Sequence, residues 1–214
     1  MRSLFLSILF FTTTCFAAPS FDVSEKSERK NLSEVKVSEE DIKNWNYACE
    51  YFIAASNYFD EKNFEHALEL IDKAIKEAPS QIYEVWMMHI LKGDILRYLG
   101  KYEEARAAYA YVVTDISFRG QAWAQGIYKM GLAWYDEKEW LRAHSYFERV
   151  YVNYMAFEYW ASRAYLYDAK AFLKLGDTKN AKNILREYLY IAKIREGSIF
   201  QEAAAINREL LNIK

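Results

Sequence analysis

Residues 93–112, GDILRYLGKYEEARAAYAYV, return 38 positions later as residues 131–150, GLAWYDEKEWLRAHSYFERV. The same frame fits residues 55–74, ASNYFDEKNFEHALELIDKA, and residues 169–188, AKAFLKLGDTKNAKNILREY. A small residue opens each window (Ala55, Gly93, Gly131, Ala169), and a bulky one follows three places on (Tyr58, Leu96, Trp134, Phe172). Further along, Ala67, Ala105, Ala143 and Ala181 hold the same place in each window. Behind these alanines come Ile71, Tyr109, Phe147 or Leu185, and then Ala74, Val112, Val150 or Tyr188. A fixed period in the range of roughly 20–50 residues marks a stack of supersecondary units. The pattern predicts an all-α fold, an α-solenoid of antiparallel helix pairs with four repeats. Solenoids of this kind work as extended surfaces, which directs the functional question toward binding.

Local signals divide each repeat into two helices. The first pair is expected at about Asp41–Asp60 and Asn63–Glu77, where Pro79 stops the second helix. The next pairs are expected at Gln81–Leu99 and Tyr102–Thr114, at Gln121–Asp136 and Glu139–Tyr154, and at Phe157–Leu175 and Thr178–Ile194. Gly100 and Gly176 supply turns. Ser38 with Asp41 forms a capping-box signature at the start. A last segment, about Ser198–Ile213, carries Phe200, Ala203, Ile206 and Leu210 at helical spacing and reads as a helix that caps the open end. The repeated alanines read as buried spacers. Gly93 and Gly131 are expected to let two backbones approach.

The ends of the chain differ in kind. Residues 1–18 read as a secretory signal peptide, with Arg2 at the start, an apolar run from Leu4 to Phe11 and small residues after it. An uncleaved membrane anchor is the alternative, although the apolar run is shorter than the ~20 residues a bilayer span needs. A lipoprotein tethered through Cys15 is another, and Thr12, Thr13 and Thr14 fit its usual signal poorly. Residues 19–40 read as a flexible leader, and residues 41–214 as the repeat domain. After cleavage behind Ala17, Cys49 is the only thiol; it reads as a small buried residue and leaves the fold to stand on packing. With 28 basic and 30 acidic residues interspersed and a net charge of −2, no basic stripe suits a phosphate backbone, so nucleic acid is excluded as a partner. No integral membrane segment is expected after signal cleavage.

The repeat residues resemble the tetratricopeptide repeat family, whose frame is an aromatic, Leu-Gly, Tyr, then Ala, Phe, Ala and a closing Pro over about 34 residues. Repeat one supplies Tyr51, Ala55, Tyr58, Ala67, Ile71, Ala74 and Pro79, and repeat three supplies Ile127, Met130, Gly131, Trp134, Ala143, Phe147 and Val150. The period of 38 adds about one helical turn per unit, and only Pro79 keeps the closing proline. Behind an export signal, the longer repeats resemble those of bacterial exported and envelope members.

The resemblance implies that the first, or A, helix of each repeat lines a concave groove that takes a protein or peptide partner. Carried onto this chain, its contact positions are Phe52 and Phe59; Ile90, Arg97 and Tyr98; Tyr128 and Tyr135; and Arg163 and Lys170. Ser56, Asp94, Leu132 and Leu166 fall on the same face. Where members that clamp a terminal carboxylate carry Lys and Asn on the first A helix, this chain has Phe52 and Ser56, so a more apolar ligand is expected. No cofactor, metal or catalytic residue is expected. His66, His89 and His144 lack ligand spacing and read as surface or packed residues, and the tyrosines from Tyr151 to Tyr167 read as packing between repeats. The expectation is an exported, non-enzymatic scaffold in bacterial cell-envelope assembly or maintenance. The alternative is a structural subunit that self-assembles through its convex face or its ends.

Overall fold

Ser38 opens the folded part of the chain. Its hydroxyl accepts from the Asp41 backbone N–H at 3.0 Å, and the Asp41 carboxylate accepts from the Ser38 backbone N–H at 3.2 Å. This is the capping box the sequence announces, and the helix it starts begins at Glu39, two residues ahead of the expected Asp41. The computed structural model describes residues 38–79, 84–115, 118–192 and 197–212. The expected signal peptide, and the leader up to residue 37, lie outside the described residues. Residues from Ser38 onward form one unit.

Among the described residues the chain is built from α-helices: α1 (Glu39–Asp60), α2 (Phe64–Glu77), α3 (Val85–Tyr98), α4 (Tyr102–Thr114), α5 (Gln121–Asp136), α6 (Trp140–Asn153), α7 (Glu158–Lys174), α8 (Thr178–Ile191) and α9 (Ser198–Asn212). Most ends fall within a residue of expectation. Helix α3 departs most: it starts at Val85, Glu84 lies in a turn, and residues 81–83 lie outside the described residues. Pro79 ends α2 as expected, holding Ala78 extended at φ −67° and ψ 127°. Helix α8 ends at Ile191, short of the expected Ile194, because Ala192 leaves the helix with ψ 125°. Residues 193, 194 and 213, also expected to be helical, lie outside the described residues.

Each helix packs on the next, as short turns between antiparallel helices require. The first helices of successive repeats also touch: α1 meets α3, α3 meets α5, α5 meets α7, and α7 meets α9. The second helices α2, α4, α6 and α8 make no comparable contact with one another among the described residues. The odd-numbered helices therefore form an inner layer, and the second helices stand apart on the outside. Helix α9 takes the place of the next inner helix and covers the last pair, as expected of a cap.

The four repeated alanines Ala67, Ala105, Ala143 and Ala181 are fully buried, as are Ile71, Tyr109, Phe147 and Leu185 behind them. The core is a series of clusters, each reaching into the next repeat: Met88 and Ile95 of α3 join the first, and Ala122 and Ala133 of α5 join the second. The role of the glycines differs from the expectation. A Cβ on Gly131 would stand 2.6 Å from Cε1 of Phe147, and one on Gly93 would overlap the Tyr109 ring. Both glycines make room for a ring on the second helix, not for another backbone. At Gly126 the approach is of a different kind, with a Cβ there meeting Val113 of α4 at 2.8 Å. Cys49, expected to be buried, is half-buried on α1.

Candidate partner-binding face

The inner layer presents one side of α1, α3, α5 and α7. Its first part is a cluster of rings at the α1–α3 boundary. Phe59 stands edge-on to Tyr98 with centroids 5.4 Å apart, and Phe64 stacks on Tyr98 at 5.1 Å and 7°. Tyr98 is nevertheless 56% exposed. The Arg97 guanidinium lies 4.7 Å from the Tyr98 centroid and pairs with Asp136 of α5. Burial works against the charge on Arg97, but Tyr109, Asp136 and Asp94 more than offset this and hold its pKa above the ordinary guanidinium value.

Below Arg97 lies a polar network that the sequence did not announce. Asp94, almost buried, accepts from the Tyr109 hydroxyl at 2.7 Å and from Lys129 Nζ at 2.7 Å. Burial, then the Asp94 carboxylate, push the Tyr109 phenol well above its usual value. Two carboxylates and two cations thus face one another across α3 and α5, in keeping with the rule that buried charge is paired.

Farther along, Tyr167 of α7 meets Tyr135 edge-on at 5.6 Å and Tyr128 at 6.0 Å, and Trp160 lies 5.7 Å from Tyr128. Burial and then Tyr167 raise the Tyr128 phenol above its ordinary value, while Arg163 and Arg97 pull it down. Guanidiniums from α3 and α7 therefore both lie within electrostatic reach of one α5 side chain. Arg163 stacks 3.5 Å from the Tyr159 centroid and donates to the Tyr159 carbonyl at 3.1 Å. Lys170 lies 4.8 Å from the Tyr167 centroid and pairs with Glu202 of α9 at 2.7 Å.

Of the nine residues assigned to the face from sequence, Phe59, Arg97, Tyr98, Tyr135, Arg163 and Lys170 have accessible surface there. Phe52 is half-buried against the first core cluster. Ile90 and Tyr128 are corrections: at 4% and 5% exposed they belong to the core. Rings of the neighbouring helices close over Tyr128, Leu166 at the same repeat position is buried too, and so is Leu132. Ser56 bonds back to the Phe52 carbonyl at 2.9 Å. Sequence reasoning missed Tyr159, Tyr167 and Lys129. The four-residue spacing of Tyr159, Arg163 and Tyr167 on one helix side was the available signal for the first two. Lys129 had no such signal, since its partner Asp94 is 35 residues away.

Away from this face, His144, expected as a surface or packed residue, is packed against Asp168. Its Nδ1 lies 2.9 Å and 3.1 Å from the two oxygens of Asp168, and the Tyr151 hydroxyl donates to Asp168 at 2.8 Å. Burial raises the Asp168 carboxyl, and the hydrogen bond to Asp168 raises His144 against the effect of burial. Asp168 is fully buried, and its bonds to His144 and Tyr151 of α6 tie α6 to α7. Tyr151 stacks on Tyr165 at 4.0 Å, and Tyr165 on Tyr188 at 5.6 Å. The first stack packs the third repeat on the fourth, as expected, and the second joins the two helices of the fourth.

Among the described residues no helix is long and apolar enough to cross a membrane. Residues 88–112, within the second repeat, match the tetratricopeptide repeat family. The chain is also similar to DnaJ homolog subfamily C member 7 of Homo sapiens, at 29% identity over 121 residues. That stretch is 56% of this chain and 22% of the relative, so the chain spans about a fifth of that protein. With four helix pairs in one 38-residue register and a family match inside the second, the fold is an all-α, tetratricopeptide-like helical repeat.

Proposed function

We propose that the chain is a non-catalytic scaffold that holds a protein or peptide partner against the inner helix layer. The observation that carries this reading is the run of accessible rings and cations across successive helices: Phe59, Tyr98 and Arg97, Tyr135, then Arg163. Aromatic residues and arginine dominate the energy of interfaces, and here each ring is already braced by a neighbour, which lowers the entropy lost on binding. Combined replacement of Phe59, Tyr98 and Tyr135 by alanine tests it. If the variant keeps its helical circular dichroism, recovery of the partner by pull-down should fall at least about tenfold; unchanged recovery would overturn the assignment of the face.

Export and a role in bacterial envelope assembly or maintenance are the finer part of the proposal. They rest on residues 1–18, read as a signal peptide, with tethering through Cys15 as the variant reading. A second reading, self-assembly through the outer helices, is favoured by Val152 and Tyr190, which hold equivalent places on α6 and α8 and are 63% and 85% exposed. A monomer by light scattering across micromolar concentrations would set that reading aside.

A further inference from the structure

We infer that the α7 end of the inner face recognises an acidic segment of the partner through Arg163, Lys170 and Lys174. The inference rests on the scaffold reading and names the chemistry of its ligand.

Tyr159, Arg163, Lys170 and Lys174 follow one another at intervals of 4, 7 and 4 residues, which sets them along one side of a helix. Charge elsewhere on the face is already balanced: Lys129 meets Asp94, and Arg97 meets Asp136. On α7 the balance fails. Lys170 reaches Glu202, whereas Arg163 and Lys174 have no ion pair among the described residues. The other acids of this helix are elsewhere: Asp168 is buried against His144, and Glu158 lines a hollow with Met155 and Ile191. Three cations therefore face one carboxylate.

The geometry of Arg163 is suited to capture. Stacking on Tyr159 and the bond to its carbonyl hold the guanidinium in place, and its remaining N–H groups, with no other partner among the described residues, can fork onto a carboxylate. The exposed Tyr159 ring beside it gives an apolar contact for the stem of a Glu side chain. Arg163 to Lys174 spans about 16 Å along the axis, the reach of about five residues of extended peptide. A nucleic acid is the poorer fit, because three cations neutralise only about three phosphates and the whole chain carries net negative charge.

The test uses the full chain and a fluorescein-labelled octaglutamate peptide, with octaglutamine and an oligouridine as the other probes, read by anisotropy at low salt. Octaglutamate should bind at least about tenfold more tightly than octaglutamine. The double variant Arg163→Glu/Lys174→Glu should lose about tenfold or more of that affinity. Lys179→Glu/Lys182→Glu on α8 makes the same change in net charge and should lose less than about twofold. Equal binding of the two peptides, or equal loss in both variants, would overturn the inference. So would tighter binding of oligouridine that disappears with the α7 variant, which would assign the stripe to nucleic acid. The partner retained by the α7 variant but lost by the Phe59, Tyr98 and Tyr135 triple variant would leave the scaffold reading standing and remove this one.

Discussion

Phe147 lies with its ring over the place where Gly131 has no side chain, and Tyr109 does the same over Gly93. At the equivalent places in the outer repeats, an alanine with an aliphatic residue replaces the glycine with a ring: Ala55 with Ile71, and Ala169 with Leu185. The volume at each helix crossing is thus shared between two residues 16 positions apart. The alternation of small and large was legible in the sequence. Its partnering was not, since periodicity names faces and leaves open which large side chain fills which gap. A double-mutant cycle makes the sharing measurable. Gly131→Ala should cost about 1–3 kcal/mol by overpacking, even though alanine is the better helix former by about 1 kcal/mol. Phe147→Leu alone should cost about 1 kcal/mol or more through the gap it leaves. Together they recreate the pair found in the fourth repeat, and the double variant should be more stable than the sum by about 1 kcal/mol or more. Urea denaturation of the four proteins gives the answer, and strictly additive costs would refute the pairing.

At the scale of the element, the same period runs through the turn between the two helices of each repeat. Lys62, Gly100, Lys138 and Gly176 all have φ between 63° and 77°, and each is the left-handed residue of a Schellman turn. The Lys138 N–H donates to the Tyr135 carbonyl and the Glu139 N–H to the Trp134 carbonyl, and the other three turns repeat both bonds. Gly100 and Gly176 were legible as turns because glycine advertises positive φ. Lys62 and Lys138 were not, since lysine carries no such signal and only the register reveals them. Nothing lies within 4 Å of a Cβ built on Gly100, so glycine serves conformation there and not space. A lysine in this region carries local strain of about 1–2 kcal/mol. Lys138→Gly should relieve it and return about 0.4–1 kcal/mol of that gain through the greater freedom of glycine in the unfolded chain. The expected result is a net stabilisation of about 0.5–1 kcal/mol, seen as a higher urea midpoint with unchanged slope; a lower midpoint would show that the turn bears no strain.

Over the whole molecule, the register of 38 carried most of the architecture: the helix pairs, their order and the buried alanines follow from it, and the capping helix from the periodicity of the last segment. The candidate site was legible to a lesser degree. Repeat position identified the inner helices, but burial of Ile90 and Tyr128 depends on how closely neighbouring repeats press together, and the Asp94–Lys129 and His144–Asp168 pairs join residues with no common place in the repeat. A stack of this kind draws its stability from interfaces between neighbours, so its ends matter most. Helix α9 closes one end: Ala203 and Leu210 are buried, Phe200 meets Tyr188 edge-on at 6.2 Å, and Ile199 and Ile206 pack on the last core cluster. Removing the chain from Gly197 onward would uncover Tyr188 and release Lys170 from Glu202. The loss corresponds to exposing about two large core side chains, roughly 3–6 kcal/mol, and the bared apolar strip invites pairing with a second copy. The truncated chain should therefore unfold at a lower urea midpoint and elute from size exclusion as a larger species than the intact chain. Restoring the segment as a separate peptide should reverse both effects, because it refills the same interface. If truncation leaves both the midpoint and the elution unchanged, α9 is an appendage and the fourth helix pair closes the stack by itself.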